Sequence, residues 1–599
     1  MTKPYKSCPP SETVEKITRL LKSVGIDWHF EHDISSNNGA FHSCHVTLSS
    51  QDLVTYSIGT NGKGRSAAFA HASALAELME RLQNNVLFPT AQHIFYRKND
   101  ELASRDPHFF TLRDKLENAP SFTYAPDESF ISDPAEVERL VRKYVKSSML
   151  DFFIRHFRES GLHTVPFCNL QTHEVEQLPV EPIFLNTGTN GMCAGNTPRE
   201  AILQGICEVF ERYAIRRFYL ENLRFPTIPR DYFDGTDIGS TMEQIEQETH
   251  WKLVVKDCSC GLGIPVIGLL IIDQVRHKYQ FRMGADTRAT VALERCLSEL
   301  YQGVENINML DINLEEQVEI IENRQDNTKA LRYILYRPEN TAKHPASLFS
   351  ETASYQFIGY DEEWGRSDED DLRRIVAMLA QRGLKLYVRD VSFLGFPSYW
   401  VYIPGMSEVN NLTNVEYLAL TRERQHHFRT AHHLDDATER EYYGLAQNIM
   451  SCYHQNSTLF TINTRDTWAH GNSQLLQALV SYRGGMEADA RRILIHARNH
   501  AGTNAEKLLY SCLIDMITFP KGNYGTQFID KIYPENIYKM AQHGLQGNLH
   551  ELFNIGTCFH CDRCSIRESC NITPYLDLYI RICRIYSDNI PSQHSLRNV

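Results

Sequence analysis

No run in this 599-residue chain is apolar for long enough to span a bilayer. The longest, from Gly261 to Ile272, is short, holds three Gly and several β-branched residues, and reads as a buried strand. The first ten residues carry no apolar stretch of the kind an export signal needs, so a cytoplasmic location is expected. Basic charge is in deficit, with 61 Lys and Arg against 74 Asp and Glu and a net charge of −13. That balance argues against a direct nucleic-acid binder and against a partner of anionic membranes. Neither the Gly-x-x-x-x-Gly-Lys-Ser/Thr loop nor the Gly-x-Gly-x-x-Gly fingerprint occurs in its required strand–turn–helix setting. There is no long Pro- or Ser-rich linker, and no Ser-His-Asp or Cys-His signature of a protein nucleophile. The fifteen cysteines are odd in number and mostly scattered singly, which fits a reducing compartment better than a disulfide framework.

What is present is the composition of a globular protein, 42% hydrophobic and 23% charged. The first part of the chain alternates strand and helix signals, so the expected fold class is α+β, mixed α/β. Strands are expected at Phe41–Leu48, Leu53–Ile58, Leu253–Val255, Val266–Ile272, Leu386–Val391 and Tyr399–Ile403. Helices are expected at Ser66–Leu82, Pro134–Arg158, Thr197–Phe218, Val291–Glu305 and Asp368–Gln381. Beyond about Tyr417 the helical pattern dominates. Asn472–Arg498 reads as a helix, a Gly484–Gly485 turn and a second helix, followed by another at Glu506–Ile517. This rhythm is that of tetratricopeptide-like pairs, or of an irregular helical bundle. The expected division is a large domain over 1–430, a helical region over 431–549 and a cysteine-rich tail over 550–599.

One segment recurs. Thr60-Asn-Gly-Lys-Gly64 precedes a helix with Ser73-x-x-x-Glu77-x-x-Glu80-Arg81. Thr189-Asn-Gly-Met-Cys-Ala-Gly195-Asn196 precedes one with Gln204-x-x-x-Glu208-x-x-Glu211-Arg212. A weaker copy, after Gly284-Ala-Asp-Thr, is Arg295-x-x-x-Glu299-x-x-Gln302. Positions i, i+4 and i+7 share one helix face, so each copy presents a polar stripe on an otherwise apolar helix. Carboxylates on a buried helix are costly unless they are paired or hold a metal. Converging Glu side chains suit Mg2+, which is commonly shared between carboxylates and substrate phosphates. Asn-Gly turns before the helices would offer backbone N–H groups to phosphate, and Arg81, Arg212 and Arg295 would balance its charge. The residues thus point to Mg2+ and nucleotide binding without a P-loop.

These motifs, with the later Ile403-Pro-Gly-Met-Ser-Glu408, resemble those of the YcaO family of ATP-utilising enzymes over about residues 35–410. The arrangement is most like the family's stand-alone bacterial members, in which a helical, tetratricopeptide-like region follows. The resemblance implies that ATP and Mg2+ activate a backbone amide of a peptide or protein by phosphorylating the amide oxygen, giving an azoline or a thioamide. It implies that Glu77, Glu80, Glu208 and Glu211 hold Mg2+. Ser73, Asn190, Asn196, Arg212, Arg295 and Glu299 would contact nucleotide or metal, with no catalytic protein nucleophile. An alternative is an ATP-binding accessory role for a modifying enzyme such as a ribosomal protein S12 methylthiotransferase. Implied partners are the peptide or protein substrate, a sulfur donor or methylthiotransferase, and a second copy in a homodimer. The family's azoline formers often end in Pro-x-Pro-x-Pro; this chain ends in Arg597-Asn-Val599.

Cys558, Cys561, Cys564 and Cys570 form a dense cluster whose spacing suits metal in a reducing compartment. Either tetrahedral Zn2+ or an iron–sulfur cluster such as [4Fe-4S] fits four cysteines, and redox-active or unliganded thiols are the third reading. Cys193 reads as a small residue of the phosphate loop, and Cys258 and Cys260 as strand-end residues.

Overall fold

The structure, a computed structural model, describes residues 6–37, 39–48, 59–87, 122–322, 331, 343–361, 363–409, 436–451, 473–519, 528–547, 549 and 572–599. These fall into two compact units. The first takes the residues before 92, those from 120 to 412 and those from 582 onward; the second takes those from 413 to 581.

The first unit is mixed helix and sheet, as the strand and helix signals imply, and its sheets are antiparallel. Helix α1 (Pro10–Ser23) buries Thr13, Ile17 and Leu21, one helical stripe at intervals of four. Strands β1 (Trp28–Ser35), β2 (His42–Leu48) and β3 (Gly59–Gly64) form a three-stranded sheet in that order. Helix α2 (Ala67–Gln83) follows, capped by Ser66, whose side chain accepts a hydrogen bond from the Phe69 N–H.

A six-stranded sheet contains β4 (Ser129–Ile131), β5 (Leu162–Asn169), β6 (Val175–Pro179) and β7 (Met192–Ala194). Between them run α3 (Pro134–Tyr144), α4 (Leu150–Ser160) and α5 (Val180–Thr187). Helix α6 (Pro198–Glu221) is the spine of the unit. Ile206, Val209, Phe210 and Phe218 are fully buried on several of its sides. Each such side chain is worth about 1.5–3 kcal/mol of burial.

After α7 (Asp237–Thr249) come β8 (Lys252–Asp257), β9 (Val266–Asp273), β10 (Lys278–Ala285), helix α8 (Ala289–Leu300) and β11 (Leu310–Asp311). Their sheet has the order β11-β10-β9-β8. Helix α9 (Leu314–Glu322) leads on to α10 (Asp368–Gln381), capped by Ser367, and then β12 (Tyr387–Asp390) and β13 (Ser398–Tyr402) complete the six-stranded sheet.

The second unit is helical. Its helices α11 (Glu439–Ser451), α12 (Ser473–Arg483), α13 (Glu487–Asn499), α14 (Asn504–Thr518) and α15 (Glu535–Gln546) share one apolar core that includes Leu479, Leu494 and Leu513. Thr503 and Glu506 form a reciprocal capping box at the start of α14. Among the described residues no helix is long and apolar enough to cross a membrane.

Three expectations change. Pro134–Arg158 is two helices rather than one. The apolar period runs through the break, but the Lys146 N–H turns to donate to Glu408 and the Ser147 hydroxyl accepts from the Met149 N–H, starting a new helix. Thr60–Gly64 is not a turn but most of β3, because its backbone pairs with β2 from Val46 to His42. Helix α8 stops at Leu300 rather than Glu305, since Gly303 takes φ 75° in the turn that follows. The expected strand Leu53–Ile58 and the cluster Cys558, Cys561, Cys564 and Cys570 lie outside the described residues.

Candidate functional site

The three copies of the recurring segment are three strand–helix units: β3–α2, β7–α6 and β10–α8. Their equivalence is tighter than the Asn-Gly pattern indicates. Gly62 stands twelve residues before Ala74 and fifteen before Glu77; Gly284 stands at the same offsets before Cys296 and Glu299. A methyl group on Gly62 would lie 2.0 Å from the Ala70 carbonyl oxygen and 2.4 Å from the Ala74 nitrogen. One on Gly284 would lie 2.5 Å from the Ala292 carbonyl oxygen and 3.0 Å from the Cys296 nitrogen. The bare strand position lets each helix settle onto its strand.

In the β7–α6 unit the same two positions are Cys193 and Gly205. The glycine has moved from strand to helix, and a methyl group on Gly205 would lie 2.7 Å from Cys193 Sγ. In this register Asn190 is not the counterpart of Asn61, and the two extra residues between the Asn-Gly pair and the helix motif are accounted for. Cys193 is therefore a buried strand residue, not a loop thiol; its Sγ lies 3.5 Å from the Tyr399 carbonyl oxygen.

The helix stripes converge on a cavity of about 750 Å3 in the first unit. Of the residues singled out in the sequence, Ser73, Glu77, Glu80, Asn196, Glu208, Glu211, Arg212, Arg295 and Glu299 line it. Asn190 does not. It is buried, and its side-chain NH2 donates to the Ser407 carbonyl at 2.8 Å, tying the segment before β7 to the Pro-Gly segment. The cavity wall also holds Lys6, Lys63, Glu200, Arg282, Glu294 and His344, which the sequence reading passed over. Lys63 was legible, since it lies inside the first motif. Arg282 was signalled by its place two residues before Gly284, on the same side of β10. Lys6 and Glu200 meet only through long-range folding.

The charges are arranged unevenly. Arg81 lies 3.3 Å from Glu77 and 3.4 Å from Glu80, and Arg212 lies 3.9 Å from Glu208. Lys63 pairs with Glu299. Lys6 lies 3.6 Å from Glu200 and donates to Gln204 at 2.9 Å. Thr13 of α1 donates to the Asn196 side-chain oxygen at 2.8 Å. Burial pushes the Glu80 carboxyl well up; Arg81 opposes this, and the charges of Glu208 and Glu77 add to it. Burial likewise raises Glu208 against the pull of Arg212, Arg81 and Arg295. Burial, reinforced by Glu299, pushes Glu211 up to about 7 in spite of Arg212. Glu299 goes the other way, because Lys63 outweighs its burial.

A comparison within the fold shows what these carboxylates lack. Glu408, also buried, accepts from Tyr402 Oη at 2.7 Å, Gly405 N–H at 2.7 Å and Lys146 N–H at 3.2 Å. Among the described residues Glu208 and Glu211 accept no hydrogen bond at all. Several carboxylates drawn together, raised in pKa and short of donors form a donor set that fits a hard divalent cation. The nearby Arg81, Arg212, Arg282 and Arg295 suit an anion beside it.

The chain matches the family model described as YcaO cyclodehydratase, ATP- and Mg2+-binding, over residues 61–407. It is 27% identical over 364 residues to the ribosomal protein S12 methylthiotransferase accessory factor YcaO of Escherichia coli, a match that covers 58% of this chain and 57% of that protein. It is 26% identical over 366 residues to an uncharacterised protein of Haemophilus influenzae, again covering 58% and 57%. The match thus spans little more than half the length of these relatives. Among solved structures, YcaO from Methanopyrus kandleri, bound with AMPPCP and Mg2+, aligns with a TM-score of 0.39 and 19% identity over 68% of this chain and 93% of that one. The family model takes in more than half of the chain and all three strand–helix units, and the protein belongs to the YcaO family.

Proposed function

We propose that this protein uses ATP and Mg2+ to activate a backbone amide of a peptide or protein. The observation that carries the reading is the convergence of Glu77, Glu80, Glu208, Glu211 and Glu299 with four arginines in one cavity. Glu77, Glu80, Glu208 and Glu211 would hold Mg2+. The metal would supply charge neutralisation on the triphosphate and orient it for in-line transfer. Arg212 and Arg295 would take the remaining phosphate charge, with Ser73 and Asn196 as neutral contacts and Lys63 keeping Glu299 ionised. Asn190 would act from behind, by holding the Pro-Gly segment in place. Such chemistry needs positioning and electrostatics rather than a protein nucleophile, and no side chain is assigned that role.

The product would be an azoline where a neighbouring Cys, Ser or Thr attacks the activated amide, or a thioamide where an external sulfur donor does. The helical region would dock the partner or a second copy of the chain. The cysteines at Cys558, Cys561, Cys564 and Cys570 would hold [4Fe-4S] or Zn2+. A second reading is favoured by the role of the Escherichia coli relative as an accessory factor. There the protein would bind ATP and serve a methylthiotransferase without altering an amide itself.

Candidate peptides incubated with the protein, ATP and Mg2+ and then examined by mass spectrometry separate the two. Loss of one water, or exchange of oxygen for sulfur, supports the first reading; phosphate release with the peptide unchanged supports the second. Glu208→Gln should abolish ATP turnover while leaving the fold intact by circular dichroism. Unchanged turnover in that variant would remove the metal assignment.

A further inference from the structure

Strand β1 carries a bulge. Its pairing with β2 runs from Trp28 opposite Leu48 to Glu31 opposite His45, then resumes with Ile34 opposite Ser43. Two residues, His32 and Asp33, therefore stand opposite Cys44 alone. His32 takes φ 54°, a left-handed conformation that is uncommon for a residue with a side chain. Bulges of this kind re-aim side chains, and they recur beside functional sites.

Here the bulge brings Asp33 to Cys44. On the other side of β2, Cys44 pairs with Gly62 of β3, whose missing side chain allows α2 to sit close over the sheet. Helix α2 adds His71. One donor atom from each of Asp33, Cys44 and His71 lies within 4.8 Å of the other two. His71 Nε2 is 2.9 Å from Asp33 Oδ1, and the His71 ring stacks on Phe30 with centroids 3.9 Å apart. Cys44 is buried at 3% exposure, whereas Asp33 is exposed, so the group is closed below and open above.

We propose that Asp33, Cys44 and His71 form a transition-metal site, separate from the carboxylate cavity. A thiolate, an imidazole and a carboxylate are the donors that Zn2+ takes in tetrahedral sites, and three protein ligands leave a fourth position for water. Binding releases the Cys44 thiol proton to solvent as the metal–sulfur bond forms. His71 lies two residues before Ser73, about 200° around α2 from the face that carries Ser73, Glu77 and Glu80. The metal would clip the back of α2 to β1 and β2 and so hold its carboxylates at a fixed depth in the cavity.

Co2+ is the probe, because a thiolate ligand gives it an intense charge-transfer band that oxygen ligands do not. The full chain is prepared with Cys558, Cys561, Cys564 and Cys570 changed to Ser, so that this cysteine cluster contributes no thiolate. Titration with Co2+ should produce the band at one ion per chain, and Zn2+ should displace it. Cys44→Ala in the same background should abolish the band with an unchanged far-ultraviolet circular dichroism spectrum. Asp33→Asn, a change at an exposed side chain, should weaken Co2+ binding at least tenfold. No band in the tail-substituted chain, a band that survives Cys44→Ala, or an unchanged affinity in Asp33→Asn would each overturn the proposal.

Discussion

The Lys63 ammonium, on the strand of the first strand–helix unit, pairs with the Glu299 carboxylate, on the helix of the third. The two residues are 236 positions apart in the chain. Their pairing joins the first unit's strand to the third unit's helix and sets Glu299 apart from its neighbours. It is the one stripe carboxylate whose pKa is lowered, while Glu80, Glu208 and Glu211 are raised.

Lys63→Met should therefore act through Glu299. With its counter-charge gone, the burial of Glu299 is less opposed, and Glu211 loses the pull of the same ammonium. The KM for Mg-ATP should rise roughly tenfold, equivalent to about 1.4 kcal/mol. Steady-state phosphate release at varied ATP and Mg2+ measures this. A KM within twofold of the parent value would show that the pair is structural only.

The raised pKa of Glu211 predicts a particular pH dependence. Its carboxyl sits at about 7 in the fold against an ordinary 4.5. Between those values the folded chain holds a proton that the unfolded chain has released. Stability from this group is full below about pH 4.5, falls by at most about 1.4 kcal/mol per pH unit as pH rises, and is gone above 7. Metal-free protein should thus melt at a higher temperature at pH 5.5 than at pH 7.5, by a margin that shrinks in Glu211→Gln. Mg2+ with nucleotide should reverse the trend, since the ion requires the ionised carboxylate. Scanning fluorimetry across that range with and without Mg-ATP gives the comparison.

The exchanged glycine of the β7–α6 unit offers a test of packing. Gly205→Ala would press a methyl group to 2.7 Å from Cys193 Sγ and 3.0 Å from the Gly191 carbonyl oxygen. A loss of about 1–3 kcal/mol is expected. Adding Cys193→Gly recreates the strand-glycine arrangement of the Gly62 and Gly284 units and should recover part of it. Chemical denaturation of the two variants decides; no recovery would mean that the clash lies with the Gly191 backbone.

A buried ion pair on β12 should be costly to break. Arg389 on β12 is 3% exposed and donates to Asp127 at 2.5 and 3.1 Å, to the Pro166 carbonyl at 2.9 Å and to Tyr586 Oη at 3.0 Å. Asp127→Ala leaves the guanidinium buried without its counter-charge and should cost about 3–5 kcal/mol. The double variant with Arg389→Met should lose less than Asp127→Ala alone, because the stranded charge goes with it. Denaturant midpoints of the two variants provide the measurement.

Local features of this protein were legible in its sequence because they depend on neighbours a few residues away. Asp368–Gln381 is a helix with the expected bounds, and its Ser367 cap is a matter of three residues. The spacing of Glu77 and Glu80, or of Glu208 and Glu211, puts them on one helix face whatever the helix packs against. Tertiary structure decided the rest, through strand pairings and helix contacts that join residues far apart in sequence. It withdrew Asn190 from the cavity wall by turning its amide to Ser407. It brought in Lys6 and Glu200, and it set Gly205 of the second unit's helix directly against Cys193 of its strand. The bulge that sets Asp33 beside Cys44 belongs to the same class. Register between two strands is a relation of one to the other, and neither strand's own pattern contains it.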